Sequence, residues 1–341
     1  MIKKCIWIFL VLFLTGCSMD EEKRSINVLN WSSYIPNSVI KEFEDRYDIE
    51  VNYGTYSSNE ELLAKVSNVK KGTYDLVFPS DYMVSVMKDK GLLQEIDKSN
   101  LICYGEIDKD YLNLDYDKDN LYSIPFLSAA VVMVVNRELI KDDIDSFEDF
   151  LRVSYKENIV LIDDARMIIG QALMALGYDM NSINKQELEE AKNFLLKLKP
   201  NIKAFDSDSP KSFLITKEAG LGLMWSAEAL LAKRENPNME IIFPKEGYSV
   251  SIDNFAIMDG SNHLEEVYLF IDYILSSEVM EKIVIDYPYS SVNVKTNSKI
   301  GYDSIYGENY QMIQSLISSG KRVKNVGKFI SNYDKVWAAI K

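Results

Sequence analysis

Strand-like and helix-like signals alternate along this chain, and that alternation restricts its fold more than any other property. Residues 26–29 (INVL) read as a short β run; Pro36 then suits a first helical turn, and Val39, Ile40, Phe43 and Tyr47 mark a helical stripe. Strand character returns over 51–56. Ser58 followed by Glu61 resembles a capping box, ahead of an apolar face of Leu62, Leu63, Val66 and Val69 that stops at Gly72. A strand at 74–78 and a helix at 81–90, stopped by Gly91, complete a β-α-β-α-β order. Such an order predicts a parallel sheet covered on both faces, with ligands at the carboxyl ends of its strands.

A second alternating set follows. Residues 129–135 (AAVVMVV) form a fully apolar strand after Tyr122-Ser123-Ile124-Pro125. Strands are expected at 159–162, 202–205, 221–225 and 241–243, and helices at 165–176, 185–198 and 227–235. A strand at 253–258 then precedes a helix at 264–275. No linker rich in Pro, Gly or Ser parts the two sets. The chain therefore reads as two α/β lobes joined by strands near 127–131 and 253–257, a body able to hinge shut over a ligand. Its 341 residues suffice for both lobes.

Charge narrows the ligand. Lys and Arg number 38 against 52 Asp and Glu, a net charge of −14. So acidic a surface repels nucleic-acid phosphate and draws cations. One histidine, His263, and three cysteines leave little for His-dependent catalysis, zinc sites or a disulfide framework. At the N-terminus, Lys3 and Lys4 precede an unbroken apolar run at 5–14 (CIWIFLVLFL). It falls short of the roughly 20 residues of a membrane span and suits a signal-peptide core. Leu14-Thr15-Gly16-Cys17 then looks like a bacterial lipobox, whose cysteine thiol takes a lipid. Residues 1–16 are expected to be a lipoprotein signal peptide and 17–25 a polar tether behind lipidated Cys17. The protein is thus expected outside the cytoplasm, anchored to the cell membrane.

Candidate chemistry sits at element ends. Trp31-Ser32-Ser33-Tyr34 and Pro79-Ser80-Asp81-Tyr82 follow strands of the first lobe, and Asp163-Asp164 and Trp225-Ser226-Ala227-Glu228 follow strands of the second. Asp253 lies at the second crossover, and Tyr287-Pro288-Tyr289 follows a helix. Aromatics beside carboxylates suit an organic ammonium. Each ring face attracts a cation by about 0.5–2 kcal/mol, and a charge-assisted hydrogen bond adds roughly 1.5–3 kcal/mol. Singly, each Trp or Tyr reads as core packing and each Asp as a helix cap; as a set at element ends they favour a cleft. Asp115, Asp117 and Asp119 imitate a calcium loop, but Asn120 and Phe126 stand where it needs Gly and Glu, so no metal site is expected.

Several words of this sequence resemble the spermidine/putrescine-binding proteins of ABC transporters. They are Asn30-Trp31-Ser32-Ser33-Tyr34-Ile35-Pro36, Tyr74-Asp75-Leu76-Val77-Phe78-Pro79-Ser80, Tyr122-Ser123-Ile124-Pro125, Asp163-Asp164-Ala165-Arg166 and Phe243-Pro244-Lys245-Glu246-Gly247. The resemblance runs in one order from about Ile26 to the C-terminus. It implies a two-lobed type II periplasmic-binding-protein fold, each lobe a mainly parallel sheet flanked by helices, with the ligand cleft between them. Lobe 1 would comprise 26–128 plus about 256–298, and lobe 2 129–255 plus about 299–341. The protein would deliver polyamine to a permease, as a monomer, without catalysis or cofactor. Ligand-lining positions carried over by matching motif are Trp31, Ser32, Tyr34, Ser80, Tyr82, Asp164, Ser207, Trp225, Asp253 and Tyr287.

Three positions depart from the spermidine binders of that family: Met167 replaces a Glu, Ser251 a Trp and Val323 a Gln. A buried ammonium without a partner is expensive. Either the site favours a shorter diamine such as putrescine, or another small amine, or Glu228 supplies the missing charge. Two other readings stay open: a lipid-anchored hydrolase using the paired carboxylates Asp163 and Asp164, and an amine sensor or adhesin without a transporter.

Overall fold

The computed structural model describes residues 24–303 and 306–341, so the expected signal peptide, Cys17 and most of the expected tether lie outside the described residues. The first unit comprises β1 (Ser25–Trp31), α1 (Asn37–Tyr47), β2 (Glu50–Tyr56), α2 (Asn59–Ser67), β3 (Leu76–Val77) and α3 (Asp81–Asp89). β1 pairs in parallel with both β2 and β3, as its alternation with helices requires. The Ser58 hydroxyl caps α2 by accepting the Glu61 amide at 3.1 Å. The return bond goes elsewhere: the Glu61 carboxylate accepts the amide of Ser57, not of Ser58. The strand expected at 74–78 shrinks to two ladder residues, because the Asp75 carboxylate itself accepts the Asn27 amide at 2.8 Å.

After a run of short 3-10 turns, the chain enters β4 (Ile124–Asn136), all thirteen residues of which are buried. There follow β5 (Ile159–Leu161), α4 (Ala165–Ala175), α5 (Lys185–Leu198), β6 (Ile202–Phe205), α6 (Lys211–Ile215), β7 (Leu221–Trp225), α7 (Ser226–Glu235) and β8 (Met239–Ile242). β9 (Ser249–Ile257) returns to the first unit. The chain ends with α8 (Leu264–Leu275), α9 (Ser277–Asp286), β10 (Ser290–Ser291), α10 (Val294–Asp303), α11 (Gly307–Leu316), β11 (Lys321–Arg322) and α12 (Ile330–Ile340).

Two strands tie the lobes together, and each is longer than expected. β4 runs antiparallel to β9 from Ile124 to Ala130, then changes partners and pairs with β7 and β8 from Val131 onward. Pro125 is tolerated inside it because the register shifts between Pro125 and Leu127, where a missing N–H costs no ladder bond. β9 runs from its β4 contacts to an antiparallel pairing with β3 at Ala256 and Ile257. The strand order is therefore β2-β1-β3-β9-β4-β7-β5-β6, with a parallel set at each end and the two crossovers in the middle. Burying each large side chain of β4 contributes about 1.5–3 kcal/mol. The C-terminal helix α12 returns to pack on α4 and α5. No helix among the described residues is long and apolar enough to cross a membrane.

Candidate functional site

Asp253 sits in β9 opposite Ser80, the two forming an isolated antiparallel bridge. Its Oδ1 accepts the Ser80 hydroxyl at 2.7 Å, and its Oδ2 accepts the Tyr34 hydroxyl. The Asn59 amide in turn donates to Ser80 at 3.1 Å, so both oxygens are held by a chain of neutral donors. Burial pushes the Asp253 carboxyl up to about 6, against the pull of the two hydroxyls. Burial and the Asp253 charge push the Tyr34 phenol well above its ordinary value, so it remains a proton donor. The Tyr34 ring lies 4.6 Å from that of Tyr289. Trp31, at the carboxyl end of β1, packs 4.7 Å from the Tyr56 ring and donates its indole N–H to the Phe78 carbonyl at 2.9 Å.

The facing wall comes from the second lobe. Asp164 caps α4 by accepting the Met167 amide at 3.0 Å, and burial together with the Glu60 charge raises its carboxyl to about 6. Ser207, after β6, accepts the Asp163 amide at 2.9 Å. Trp225 closes β7 and leads directly into α7. At the mouth, the Ser32 hydroxyl reaches across to Asp208 Oδ1 at 3.1 Å.

These residues enclose one cavity of about 540 Å³ between the lobes. Trp31, Ser32, Tyr34, Ser80, Asp164, Ser207, Trp225 and Asp253 all line it, as do Met167 and Ser251. Tyr82 and Tyr287 are not among its lining residues. Tyr82 is buried behind the wall and donates to Glu60 at 3.0 Å. Tyr289 lines the cavity where Tyr287 was expected, because a backbone bond from Tyr289 to the Tyr287 carbonyl turns the chain into β10, which pairs with β4. Glu228 does not reach the cavity either: it is buried and ion-paired to Lys211 at 2.8 Å. Val323 lines a different cavity, of about 670 Å³.

Four groups of lining residues had escaped the reading of the sequence. Ser57 to Glu60 follow the carboxyl end of β2, where the strand-end rule would have found them. Phe205 closes β6 and Asp206 and Asp208 follow it, and Tyr289, named only within its cluster, lies two residues past the tyrosine expected. Ile330, Tyr333, Asp334 and Trp337 belong to α12, which reaches the site by tertiary packing alone. The lining carries seven carboxylates (Glu60, Asp163, Asp164, Asp206, Asp208, Asp253 and Asp334) against a single guanidinium, Arg166. That guanidinium is drawn into its own lobe, 4.3 Å over the Tyr333 ring and bonded to the Lys324 carbonyl at 3.2 Å. The larger second cavity mixes Asp81, Asp115 and Asp179 with Lys321, Arg322 and Lys324, so it lacks this one-sided charge.

Two α/β lobes, antiparallel crossovers and a solute-sized interlobe cavity define a two-lobed solute-binding protein. Residues 38–300 match the bacterial extracellular solute-binding protein family, and the chain belongs to it. It is 31% identical over 322 residues to the spermidine/putrescine-binding periplasmic protein of Escherichia coli strain K12, covering 94% of this chain and 92% of that relative. The TpPotD lipoprotein of Treponema pallidum matches with a TM-score of 0.84 at 27% identity, over 93% of this chain and 99% of that one. The spermidine/putrescine ABC transporter substrate-binding protein PotD of Streptococcus pneumoniae matches at 0.76 and 27%, over 93% and 100%. The two-lobed fold expected from the sequence is the fold found.

Proposed function

We propose that this protein captures a polyamine, putrescine or spermidine, between its lobes and delivers it to the permease of an ABC importer, with no chemical turnover. The observation that carries this reading is the cavity wall: seven carboxylates and one withdrawn guanidinium, interleaved with Trp31, Tyr34, Trp225 and Tyr289. Carboxylates pair with the ammonium groups while the ring faces cover the methylene chain. The polyamines for which the relatives are named agree with that chemistry. Trp31, Ser32, Tyr34, Ser80, Asp164, Ser207, Trp225 and Asp253 are the proposed ligand contacts, with Tyr289 in the place of Tyr287.

The hydrolase reading loses support from the same geometry. Asp163 is ion-paired to Lys341 at 2.8 Å and Asp164 caps α4, so the adjacent carboxylates do not converge on one reacting atom. The proposed moving bodies are 26–128 with about 256–298, and 129–255 with about 299–341. The change of partners in β4 near residue 130 supports that division. A lipid on Cys17 would hold the protein, as a monomer, at the outer face of the cytoplasmic membrane.

Isothermal titration of the full chain in detergent micelles with putrescine, cadaverine, spermidine and spermine tests the reading. Heat of binding is expected with at least one of them; a folded protein that binds none refutes it. Cys17→Ser is expected to release the protein from the membrane fraction, and continued membrane retention would refute the anchor.

A further inference from the structure

We propose that Glu60 and Asp164 form one ammonium seat spanning the two lobes, which holds a primary ammonium at one end of the polyamine while Asp253 serves the other. The proposal rests on the polyamine reading above. Glu60 lies in the first turn of α2, in the first lobe, and Asp164 caps α4 in the second; both line the cavity. Glu60 accepts the Tyr82 hydroxyl at 3.0 Å and makes no ion pair among the described residues. Asp164 makes none either; the two line one cavity from opposite lobes, and burial, with the Glu60 charge second, raises the Asp164 carboxyl.

Of the other lining carboxylates, Asp163 is neutralised by Lys341, while Asp206, Asp208 and Asp334, which make no ion pair among the described residues, all stand on second-lobe segments; Glu60 is the one that faces them from the first lobe outside the crossover strand. Arg166 is the nearest cation to the pair. Its guanidinium bonds to the Lys324 carbonyl and to Asn181 Oδ1 at 3.1 Å, and it stacks on Tyr333. Two acids therefore line one cavity from opposite lobes, and the Arg166 guanidinium, 5.9 Å from the Tyr82 ring, makes no ion pair with either among the described residues. An ammonium group fits that gap, since its three N–H donors can be shared between two carboxylates. A favourable dipole at the N-terminus of α2 would explain an acid at position 60. It would not explain a carboxylate held by the Tyr82 hydroxyl in the cavity wall. The seat also explains how the cavity tolerates Met167, which lines it in the same first turn of α4 as an apolar side chain.

Glu60→Gln keeps the shape and removes the charge, and Glu60 is exposed, so the fold and melting temperature should be retained. Titrations of wild type and Glu60→Gln in the full chain use spermidine and its two mono-N-acetylated isomers. Spermidine affinity is expected to fall at least about tenfold, the loss of one charge-assisted hydrogen bond. The isomer acetylated at the end seated here should bind both proteins equally, and the other isomer should show the full loss, a cycle that isolates the contact. Equal affinity of wild type and variant for all three ligands would overturn the proposal. So would an equal loss for all three, which would reduce Glu60 to a structural role. If the folded wild type bound none of putrescine, cadaverine, spermidine and spermine, the polyamine reading itself would have failed; if it bound putrescine but not spermidine, that reading would stand and a seat for one end of spermidine would be overturned.

Discussion

Asp253→Asn separates what the carboxylate does for binding from what it does to the fold. The amide is isosteric with the carboxylate. Its oxygen can accept the Ser80 hydroxyl, and the Tyr34 hydroxyl can turn to accept from its nitrogen, so the network of the cavity floor is retained. Only the charge is lost. One charge-assisted hydrogen bond is worth roughly 1.5–3 kcal/mol, so polyamine affinity should fall roughly tenfold to 150-fold.

Stability should move the opposite way. Burial raises the Asp253 carboxyl from 3.8 to about 6, so the native state binds this proton more tightly than the unfolded chain does. Its contribution to stability is then full below the unfolded value and is lost as pH rises through 6. At neutral pH the cost of the charge is about 3 kcal/mol, two pKa units at 1.36 kcal/mol each. The asparagine variant should therefore melt higher than wild type at pH 7.5 while binding more weakly. Titrations at pH 7.5, 6.0 and 5.0 add a second readout. Wild-type affinity should drop below pH 6 as Asp253 and Asp164 take up protons, and the drop should be shallower in the variant, which retains one of the two. Unchanged affinity in the variant, or a lower melting temperature, would refute the reasoning.

Three further outcomes are expected. Trp225→Ala should weaken binding by about 0.5–2 kcal/mol, or roughly twofold to thirtyfold by titration, with little change in melting temperature because the indole is only half-buried. Glu228→Gln should leave the Lys211 charge without its partner and destabilise the protein by about 3 kcal/mol in denaturant unfolding, with polyamine affinity unchanged; a lost affinity would restore the compensating role once given to Glu228. Burial pushes the Asp81 carboxyl up to about 8, so stability should fall as pH rises through 8, and calorimetry of Asp81→Asn should show that fall flattened.

Much of the site was legible because strand ends are local events. The apolar runs that form β1, β7 and β9 declare themselves, and Trp31, Trp225 and Asp253 follow from where those runs stop or cross. The failures share one cause, since each depends on a partner distant in sequence. Whether Tyr287 or Tyr289 turns inward is decided by two residues of β10 pairing with Leu127 and Ser128. Glu228 looks free in sequence because Lys211 is seventeen positions upstream, brought close by the packing of α6 on α7. Tyr333 and Trp337 show helical spacing, but nothing local says that α12 returns to α4 and α5 and walls the cavity. The strand expected at 129–135 begins at Ile124 instead, its first residues paired with the distant β9, and a register shift after Pro125 accommodates the proline.

The distribution of charge suggests why closure should depend on the ligand. Five of the seven lining carboxylates belong to second-lobe segments (Asp163, Asp164, Asp206, Asp208 and Asp334), Glu60 belongs to the first lobe, and Asp253 lies on a crossover strand. Bringing the lobes together moves Glu60 and Asp253 towards that group in a space where water is being expelled and repulsion strengthens. Ser32 to Asp208 and Asn325 to Asp89 are single hydrogen bonds across the gap, modest against that repulsion. A monoamine neutralises one carboxylate and leaves the rest opposed, whereas a chain bearing ammonium groups at both ends turns repulsion at two places into attraction. Closed lobes are thus favoured in proportion to the number of charges delivered, which is differential affinity for one conformation and the physical requirement for a ligand-driven change of shape.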